Sequence, residues 1–563
     1  MPEFVFGSLQ FDSPAREIIA NDTGEVLPVL EFADREAKAG AYVAVMLSYE
    51  AAPAFDPVLA VHEPSDFPLA WAAVFTTATD LAQNDSRLSS NSWTPRVSRV
   101  EYDDAVTRIK ELIAAGDTYQ VNYSFPLTAS FDGDAYAWYR TLCETQGAQH
   151  SAYVDLGRYQ VLSLSPELFF ERRGDRVVTK PMKGTVRRGR WSGEDEELAQ
   201  WLRQSTKDRA ENVMIVDLLR NDLGKVSVPG TVHVSSLFEL ERFETVWQMT
   251  STVESTLRDG TALADLMTAL FPCGSITGAP KIRTMQIIRD LERFPRTAYT
   301  GTIGLVKPGG DCVFNVAIRT VVIDTQSKQA TFGVGGGVTS DSTAEREYEE
   351  CLVKTRFLNS PAVEFQLFES MLLEEGEYFL LAEHLERLRN SASYFGFDFP
   401  EEEIRSALGS VAGASALKVR LTLWKDGRIE TQVSPLGPVV DQQVRLATTP
   451  VDSSNRFLFH KTTMRDFSAD VVYWNERGEV TESGIANIVA RIDGQLYTPP
   501  ISSGLLAGTF RNHLLAEGKI KERVITVEEL KNEFFLINSV RKWIRASISR
   551  KGAKEDAKAQ RKT

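Results

Sequence analysis

Lys207-Asp-Arg-Ala-Glu-Asn-Val-Met-Ile-Val-Asp-Leu-Leu-Arg-Asn-Asp222 is the stretch on which the interpretation of this chain depends most. Its pattern predicts a helix, in which Asp208 and Glu211 lie three residues apart and share one face. Two acids in these positions repel each other unless a partner neutralises them. The plainer alternative is an ordinary helix face in contact with water.

A second acid pair lies further along the chain, in Ala344-Glu-Arg-Glu-Tyr-Glu-Glu-Cys-Leu-Val-Lys354. This stretch also predicts a helix, and it carries Glu347 and Glu350 with the same three-residue spacing. Four carboxylates from two helices can hold a hard divalent cation through oxygen, and Mg²⁺ is the natural candidate. Two solvated faces remain the alternative.

Three further features accompany the acid pairs. Gly335-Gly-Gly337 ends a predicted strand and lets backbone amides approach an anion, although a flexible loop has the same pattern. Arg319 ends a predicted buried strand, where it either pairs with an internal acid or binds a substrate carboxylate. Lys183 is expected in a tight turn between an apolar strand and a glycine. If it is partly buried, its lowered pKa makes it a possible nucleophile; otherwise it is a surface lysine.

Composition limits the class of protein. The chain has 563 residues, which at ~150 residues per domain suggests about three to four domains. Apolar residues make up 43% and charged residues 25%, which is typical of a soluble globular protein. The net charge of -14 argues against nucleic-acid binding. No apolar run approaches the ~18 residues of a membrane span, and no secretory signal follows Met1. The 4 cysteines have no CxxC spacing, so we expect a cytoplasmic protein without disulfides or zinc.

Changes in pattern along the chain predict five regions. We expect a β-rich flank over residues 1–95, with a polar surface excursion from Asp80 to Pro95, and an α/β region over 96–357 that carries the features above. A linker at 358–364 precedes a second domain at 365–548. The basic stretch 549–563 has no large apolar residue and is expected to be a frayed tail.

The motifs of the first half, taken together, resemble those of the chorismate-utilising enzymes. This family includes the anthranilate, aminodeoxychorismate, isochorismate and salicylate synthases. The resemblance covers about residues 97–356 and implies an α/β (α+β) fold of large mixed sheets flanked by helices. The motifs are Ser165-Pro-Glu-Leu-Phe169, Pro181-Met-Lys-Gly-Thr185, Met214-Ile-Val-Asp-Leu-Leu-Arg-Asn-Asp-Leu223, Phe271-Pro-Cys-Gly-Ser-Ile-Thr-Gly-Ala-Pro-Lys281, Tyr299-Thr-Gly301 and Gly335-Gly-Gly-Val-Thr-Ser-Asp-Ser342.

Two positions distinguish members of this family. Anthranilate synthases resemble Pro-Ile-Ala-Gly-Thr where this chain has Pro181-Met-Lys-Gly-Thr185, whereas aminodeoxychorismate synthases carry a lysine at the position of Lys183. Water-adding relatives have a general-base lysine at the position of Gln120, and a glutamine cannot deprotonate water. Both differences indicate the aminodeoxychorismate synthases, with anthranilate synthase activity as the alternative.

The resemblance also implies roles for residues. Lys183 would attack C2 of chorismate, and Glu167 would act as general acid. Glu211 and Glu350 would hold Mg²⁺, with Asp208 and Glu347 in support. The implied substrate contacts are Gln120, Asn122, Thr185, Ser275, Tyr299, Arg319, Gly335, Gly336, Gly337 and Lys354.

Two departures limit the transfer of roles from the family. Gln248 occupies the place of a family histidine in a His-Leu-Val-Ser motif, so no acid or base role is carried over to it. The chain contains no Gly-x-Cys-x-Gly nucleophile motif of a glutaminase. Ammonia is therefore expected from solution or from a separate glutamine amidotransferase subunit.

The second half contains candidate ligands for pyridoxal phosphate. This cofactor needs a lysine for its aldehyde, an acid facing its pyridine nitrogen and a cup for its phosphate. Lys461 and Glu482 can supply the first two, and Thr509 opens a predicted helix whose free amides suit a phosphate. Arg387 can add a positive charge. Alone, each has a plainer interpretation: a surface lysine, a turn acid, a helix cap and a solvated arginine.

The order and spacing of these residues resemble the fold-type IV pyridoxal-phosphate enzymes over about residues 365–548. Branched-chain and D-amino acid aminotransferases and aminodeoxychorismate lyase belong to this group, whose domains usually pair as homodimers. Elimination is favoured because the implied product of the first domain, 4-amino-4-deoxychorismate, is the lyase substrate. The expected product is 4-aminobenzoate, a folate precursor. An aminotransferase, or a catalytically inactive scaffold, is the alternative.

Overall fold

The computed structural model describes residues 3–81, 92–147, 149–359, 364–413, 415–531 and 534–549. The chain divides into two compact units: Met1–Arg187 with Ala199–Val363, and Arg188–Leu198 with Glu364–Thr563. The second unit therefore includes a short segment from the middle of the chain, which the predicted boundaries did not contain. Most of the predicted excursion after Asp80, part of the linker and nearly all of the tail lie outside the described residues.

Two ten-stranded sheets form the first unit, and all the pairings described within them are antiparallel. The strands are β1 Phe4–Phe6, β2 Leu9–Phe11, β3 Arg16–Ala20, β4 Tyr42–Leu47, β5 Ala70–Phe75, β6 Thr79–Asp80, β7 Thr94–Pro95, β8 Gln120–Ser130, β9 Ala152–Asp155, β10 Tyr159–Ser163, β11 Leu168–Arg173, β12 Arg176–Thr179, β13 Met182–Arg187, β14 His233–Arg242, β15 Val246–Thr256, β16 Gly278–Ala279, β17 Thr302–Val306, β18 Cys312–Val316, β19 Thr320–Asp324 and β20 Gln329–Val338. The first sheet has the order β16-β8-β20-β19-β10-β9-β1-β2-β6, with β7 beside β8. The second has the order β13-β15-β12-β11-β18-β17-β4-β5-β3, with β14 beside β15.

Helices cover the outer faces of the two sheets. They are α1 Thr23–Lys38, α2 Arg99–Ala114, α3 Ala135–Gln146, α5 Thr206–Gly224, α6 Leu263–Leu270, α7 Lys281–Leu291 and α8 Ala344–Val353, whereas α4 Ser192–Gln204 begins in the segment that belongs to the second unit. One apolar cluster joins the inner faces of the sheets, where Phe4 and Phe11 of the first meet Met46 and Trp71 of the second. Two other clusters join each sheet to its own helices. The unit is therefore layered, and the predicted α/β (α+β) class is confirmed, although the described pairings of its sheets are antiparallel and not mixed as expected.

Helix α1 lies in the flank, residues 1–95, that was expected to be β-rich, with strands and loops. Asp22 caps it by accepting a hydrogen bond from the amide of Gly24 at 2.9 Å. Val26, Val29 and Leu30 are buried at helical spacing. The interpretation of this region as strands and loops was therefore incomplete, because Pro28, the sixth residue of the helix, resembles a loop signal.

The second unit contains a four-stranded sheet of order β22-β21-β23-β24 and an eight-stranded sheet of order β27-β26-β25-β32-β31-β28-β29-β30. The strands are β21 Leu367–Glu374, β22 Glu377–Tyr378, β23 Leu417–Leu423, β24 Ile429–Pro435, β25 Gln442–Leu446, β26 Val471–Trp474, β27 Val480–Ser483, β28 Asn487–Ile492, β29 Gln495–Thr498, β30 Lys521–Glu522, β31 Phe534–Asn538 and β32 Lys542–Ile548. The helices are α9 Leu381–Phe395, α10 Glu401–Gly409 and α11 Thr509–Ala516. Both parallel and antiparallel pairings occur in the larger sheet.

Candidate active sites

The first candidate site forms where β13, β8 and β20 approach one another. Lys183 lies on strand β13 rather than in the tight turn that was predicted. A Cβ atom added to Gly337 would lie 2.5 Å from Nε2 of Gln120 and 3.2 Å from Nζ of Lys183. Only a glycine at this position leaves both side chains in place, so the glycine stretch, Gln120 and Lys183 do come together.

Lys183 is partly buried and lies among acids. Burial lowers the pKa of its amine, and the carboxylates of Glu211 and Glu167 oppose this effect. The amine therefore loses its proton more readily than an exposed lysine, which is what a nucleophile requires.

Glu167 has the opposite character. It is buried, and the hydroxyl of Ser275 donates a hydrogen bond to its Oε1 at 2.7 Å. Burial raises the pKa of Glu167 to about 7, although Ser275 and Lys183 act in the other direction. A carboxyl group with this pKa can hold and release a proton near neutral pH, so its environment suits a general acid.

Gln120 is completely buried, and both its Oε1 and its Nε2 lack a hydrogen-bond partner. Leaving a buried amide unpaired costs about 1–3 kcal/mol for each group, so such positions are rare unless a ligand completes them. The neighbouring Asn122 is also buried and donates to Oγ of Ser124 at 3.4 Å. The unpaired amide beside Lys183 indicates a polar ligand.

The four carboxylates predicted to hold magnesium lie on α5 and α8, as expected. Glu350 forms an ion pair with Lys354 at 2.8 Å, and Lys354 lowers the pKa of Glu350. Glu347 accepts a hydrogen bond from Ser342 at 2.8 Å. Burial raises the pKa of Glu211, and the charges of Asp208 and Glu347 add to this effect. The carboxylates therefore lie within electrostatic reach of one another.

Within the described parts of the chain, no three of the His, Cys, Asp and Glu residues are gathered into one metal-ligating group. Mg²⁺ is usually held by one or two carboxylates together with water and substrate oxygens. The donor chemistry of this site fits such a two-carboxylate arrangement but does not form a preassembled cage. The magnesium site stays a prediction.

Arg319 lies between β18 and β19 with a φ of 50°, an unusual backbone for a long side chain. Its Nη1 donates to Gln146 at 3.1 Å, and no acid of the described residues pairs with it. Burial alone lowers the pKa of Arg319 to about 10. A half-buried cation without an acid indicates an anionic ligand, which favours the second of its two predicted roles.

The remaining predicted contacts differ in their surroundings. The ring of Tyr299 packs against Gly333, where an added Cβ would lie 2.2 Å from the ring. Lys354 donates to the carbonyl of Gly335 at 2.9 Å. Thr185 is exposed and donates to Oε1 of Gln248 at 2.9 Å, so it lies at the edge of the site. Gln248 is thus used to hold strand β13.

The second candidate site surrounds Lys461. Burial, reinforced by the guanidinium of Arg387, lowers the pKa of Lys461 to about 7. Glu482 is buried, and its Oε1 accepts hydrogen bonds from Arg465 at 2.7 Å and from the amide of Leu506 at 2.9 Å. Arg465 was not predicted from the sequence, although it follows Lys461 by only four residues.

Arg387 and Thr509 belong to one buried network. Nε and Nη2 of Arg387 donate to Glu369 at 2.8 and 2.6 Å. His384 lies 2.7 Å from the same carboxylate through Nδ1 and 3.2 Å from the Thr509 hydroxyl through Nε2. Glu369 and His384 were not found from the sequence, although His384 precedes Arg387 by three residues on α9, which places both on one face.

These residues fit pyridoxal phosphate. Lys461 offers an amine that is easily deprotonated, and Glu482 offers a buried acid for the ring nitrogen. Helix α11 begins at Thr509, as predicted, so its first amides can face a phosphate. Arg387 already forms an ion pair with Glu369. A bound phosphate would therefore share the guanidinium with this carboxylate.

The first unit thus combines layered sheets with a partly buried lysine that lies among acidic side chains. The chain belongs to the chorismate binding enzyme family, whose model matches residues 8–360. The model of the class IV amino-transferases matches residues 366–548. Both resemblances found in the sequence are thereby confirmed.

Individual relatives divide between two named activities. Aminodeoxychorismate synthase component 1 of Salmonella typhimurium is 42% identical over 275 residues, which are 49% of this chain and 60% of the relative. Anthranilate synthase component 1 1 of Haloarcula marismortui is 42% identical over 261 residues, which are 46% of this chain and 53% of the relative. The chain thus spans little more than half the length of these curated relatives.

A solved structure supports the fold of the first unit. Anthranilate synthase component I from Streptococcus pneumoniae superposes with a TM-score of 0.56 at 24% identity, covering 64% of this chain and 92% of that one. Among the described residues, no helix is long and apolar enough to cross a membrane.

Proposed function

We propose that this chain makes 4-aminobenzoate from chorismate and ammonia in two steps, one in each unit. The observation that carries the proposal is the pairing of Lys183, whose pKa is lowered, with Glu167, whose pKa is raised to about 7. An unprotonated amine and a protonated carboxyl in the same site can substitute a hydroxyl group on a ring. An aminodeoxychorismate synthase and an anthranilate synthase are equally identical to this chain, so sequence identity does not choose between these two activities. The proposal therefore depends on the residues of the site.

In the first step, Nζ of Lys183 attacks C2 of chorismate, and both ring double bonds shift, from C1–C2 to C1–C6 and from C5–C6 to C4–C5, as the C4 hydroxyl leaves. Glu167 donates the proton with which that hydroxyl departs as water. Ammonia then attacks C4, both double bonds shift back to their original positions, and the bond between C2 and Lys183 breaks. The product is 4-amino-4-deoxychorismate. The unpaired amide of Gln120 would orient the hydroxyl or the ammonia.

Substrate carboxylates would be bound by Arg319 and by the amides of Gly335, Gly336 and Gly337, with Tyr299 against the glycine strand. Glu211 and Glu350 would hold Mg²⁺, with Asp208 and Glu347 in support. Bound there, Mg²⁺ would neutralise a substrate carboxylate.

In the second step, the second unit would release pyruvate from the aminated ring. Lys461, Glu482, Thr509 and Arg387 would hold pyridoxal phosphate, which withdraws electrons from the carbon that bears the amino group. Lys461 would remove the proton from this carbon and return one to the departing enolpyruvyl methylene. Its pKa of about 7 allows both transfers near neutral pH.

We further propose that a separate glutamine amidotransferase subunit supplies the ammonia in a reducing cytoplasm. All 4 cysteines are free thiols in the structure, and three of them are buried. None of them lies in a glutaminase nucleophile motif. A homodimer through the second unit is also proposed, from the resemblance to fold-type IV enzymes.

Chromatographic product analysis with chorismate, ammonium and Mg²⁺ tests the proposal. The intact chain should yield 4-aminobenzoate, Lys183→Ala should yield nothing aminated at C4, and Lys461→Ala should accumulate 4-amino-4-deoxychorismate. Lys425→Ala, in an exposed turn of the second unit, is the matched control and should behave like the unaltered chain.

Other products would contradict specific parts of the proposal. Formation of 2-aminobenzoate that survives Lys183→Ala would show anthranilate synthase activity. Accumulation of the aminated intermediate by the intact, cofactor-loaded chain would favour an aminotransferase in the second unit. No turnover at all would indicate a scaffold.

A further inference from the structure

The segment Arg188–Leu198, called the arm below, comes from the chorismate-binding part of the sequence but belongs to the second compact unit. It begins directly after β13, the strand that carries Lys183, and it includes the first residues of α4. The proposed mechanism does not use it. Its contacts within the second unit converge on the residues that precede Lys461.

A buried ion pair gives the arm its shape. Nε of Arg188 donates to Oδ1 of Asp195 at 2.8 Å and Nη2 donates to Oδ2 at 2.7 Å. The two side chains are only 4% and 9% exposed. Asp195 also accepts from the amide of Gly189 at 2.7 Å. A Cβ at Gly189 would lie 2.1 Å from the backbone nitrogen of Asp195, so the turn requires a glycine.

Tyr394 on α9 joins this turn to the lysine segment. Its hydroxyl donates to the carbonyl of Gly189 at 2.6 Å, and the guanidinium of Arg188 lies 4.4 Å from the centre of its ring. The same ring lies 4.4 Å from the ring of His460, centre to centre. His460 is buried and is the residue immediately before Lys461.

A second set of contacts covers Phe459, the residue before His460. The rings of Trp191 and Phe459 lie 5.1 Å apart, and the guanidinium of Arg190 lies 5.3 Å from the Phe459 ring. Nη1 of Arg190 also donates to the carbonyl of Ser453 at 3.1 Å. The arm therefore packs against both residues that fix the direction in which the chain enters Lys461.

We propose that the arm is a positioning element of the second active site, and that Lys461 is held for its reaction only while the arm is docked on Phe459 and His460. This inference rests on the proposed function of Lys461. The physical reason is that close packing restricts the backbone before the lysine and excludes water from it. Without the arm, the amine would gain freedom and solvent.

The test measures the basicity of Lys461 in the full chain without cofactor. Competitive labelling with a small amine reagent, read by mass spectrometry across pH, gives the midpoint for Lys461 and, as an internal reference, for Lys425. Asp195→Asn removes the buried ion pair with Arg188, and Trp191→Ala removes the contact with the Phe459 ring. Glu197→Gln, the control, changes only an exposed residue of the same arm.

We expect the midpoint of Lys461 to rise in Asp195→Asn and Trp191→Ala toward the ordinary lysine value of ~10.4, and to stay unchanged in Glu197→Gln. The reference midpoint should not move. With cofactor, both arm variants should also accumulate the aminated intermediate. Retained chorismate consumption shows that the first unit has folded.

Tyr394→Phe provides a milder variant, since it removes only the hydrogen bond to Gly189, and a smaller rise is expected. An unchanged midpoint in Asp195→Asn and Trp191→Ala would overturn the proposal. Because labelling does not need the second reaction, this outcome is separate from a failure of the intact chain to form 4-aminobenzoate, which would overturn the proposed function instead.

Discussion

The two candidate sites each contain a lysine withdrawn from water, but the charges around these lysines differ. The strongest charged neighbour of Lys183 is the carboxylate of Glu211, which opposes the effect of burial on the pKa. The strongest charged neighbour of Lys461 is the guanidinium of Arg387, which adds to it. Burial therefore lowers the pKa of both amines, and the strongest neighbouring charge opposes this effect at Lys183 and adds to it at Lys461.

The largest effect should come from removing the proton donor that only the first site has. Glu167→Gln should lower the rate of chorismate amination roughly 10²–10⁴-fold, because an amide cannot protonate the leaving hydroxyl. Since burial raises the pKa of Glu167 to about 7, the active form is protonated. The rate of the intact chain should fall as pH rises through about 7, and this fall should disappear in the variant.

Steady-state kinetics across pH measure this effect. Glu171→Gln, four residues further on, is the control because Glu171 is engaged by Arg173 rather than by the site. A variant with full activity and an unchanged pH profile would remove Glu167 from the mechanism.

The stability of the second unit should depend on the buried carboxylate of Glu369. Burial opposes the charge of Glu369, yet Arg387 and His384 hold the pKa of that carboxyl well below its usual range. Glu369→Gln leaves Arg387 without its partner and should cost about 3–5 kcal/mol of unfolding free energy in the second unit. The stabilisation by Glu369 should be present above its unfolded pKa of ~4.3 and be lost as pH falls below it toward the depressed folded pKa.

Denaturant unfolding followed by tryptophan fluorescence measures this loss. Glu374→Gln, whose carboxylate forms an exposed pair with Lys542, is the control and should change stability by less than about 1 kcal/mol. Equal stability of Glu369→Gln and the intact chain would show that the network is not essential.

A smaller effect is expected for Arg319, the cation of the first site that pairs with no acid of the described residues. Arg319→Met should raise the KM for chorismate by an amount worth about 1.5–3 kcal/mol, with a smaller change in kcat, because a hydrogen bond to a charged group is lost. The exposed Arg346→Met is the control. An unchanged KM would assign Arg319 to structure, through Gln146, rather than to substrate.

The smallest effect tests whether neighbouring charges change the pKa values of Lys461 and Lys183 in opposite directions. Arg465→Met removes a cation that lowers the pKa of Lys461, so its labelling midpoint should rise. Glu211→Gln removes an acid that raises the pKa of Lys183, so that midpoint should fall. Shifts of about one pH unit, worth ~1.4 kcal/mol, are expected. Shifts in the same direction would end the distinction between the two sites.

The sequence predicted much of the framework but not its tertiary partners. Periodicity and acid spacing correctly placed α5 and α8, and the glycine stretch correctly ended β20. Lys183 was placed in a turn because glycine is a turn signal, whereas Gly184 lies within strand β13 and faces Asp208. The local sequence pattern cannot distinguish a turn from a strand at this position, because the residue that Gly184 contacts, Asp208, is distant in sequence.

Glu369, His384 and Arg465 show why the second site was only partly found. Each is a single polar residue in an ordinary strand, helix or loop, and its importance comes from partners at other positions along the chain. The membership of the arm in the second unit is likewise a matter of contacts rather than of composition. The roles of the site residues and the magnesium site stay predictions.

The arm has a consequence for how this gene can be divided. A cut after residue 363 would produce a downstream polypeptide that lacks the piece from Arg188 to Leu198. Recombination that exchanges either half for a homologue would pair an unfamiliar loop with Phe459 and His460. The two coding halves should therefore be inherited together, and single-point shuffling libraries should lose the downstream function more often than the upstream one.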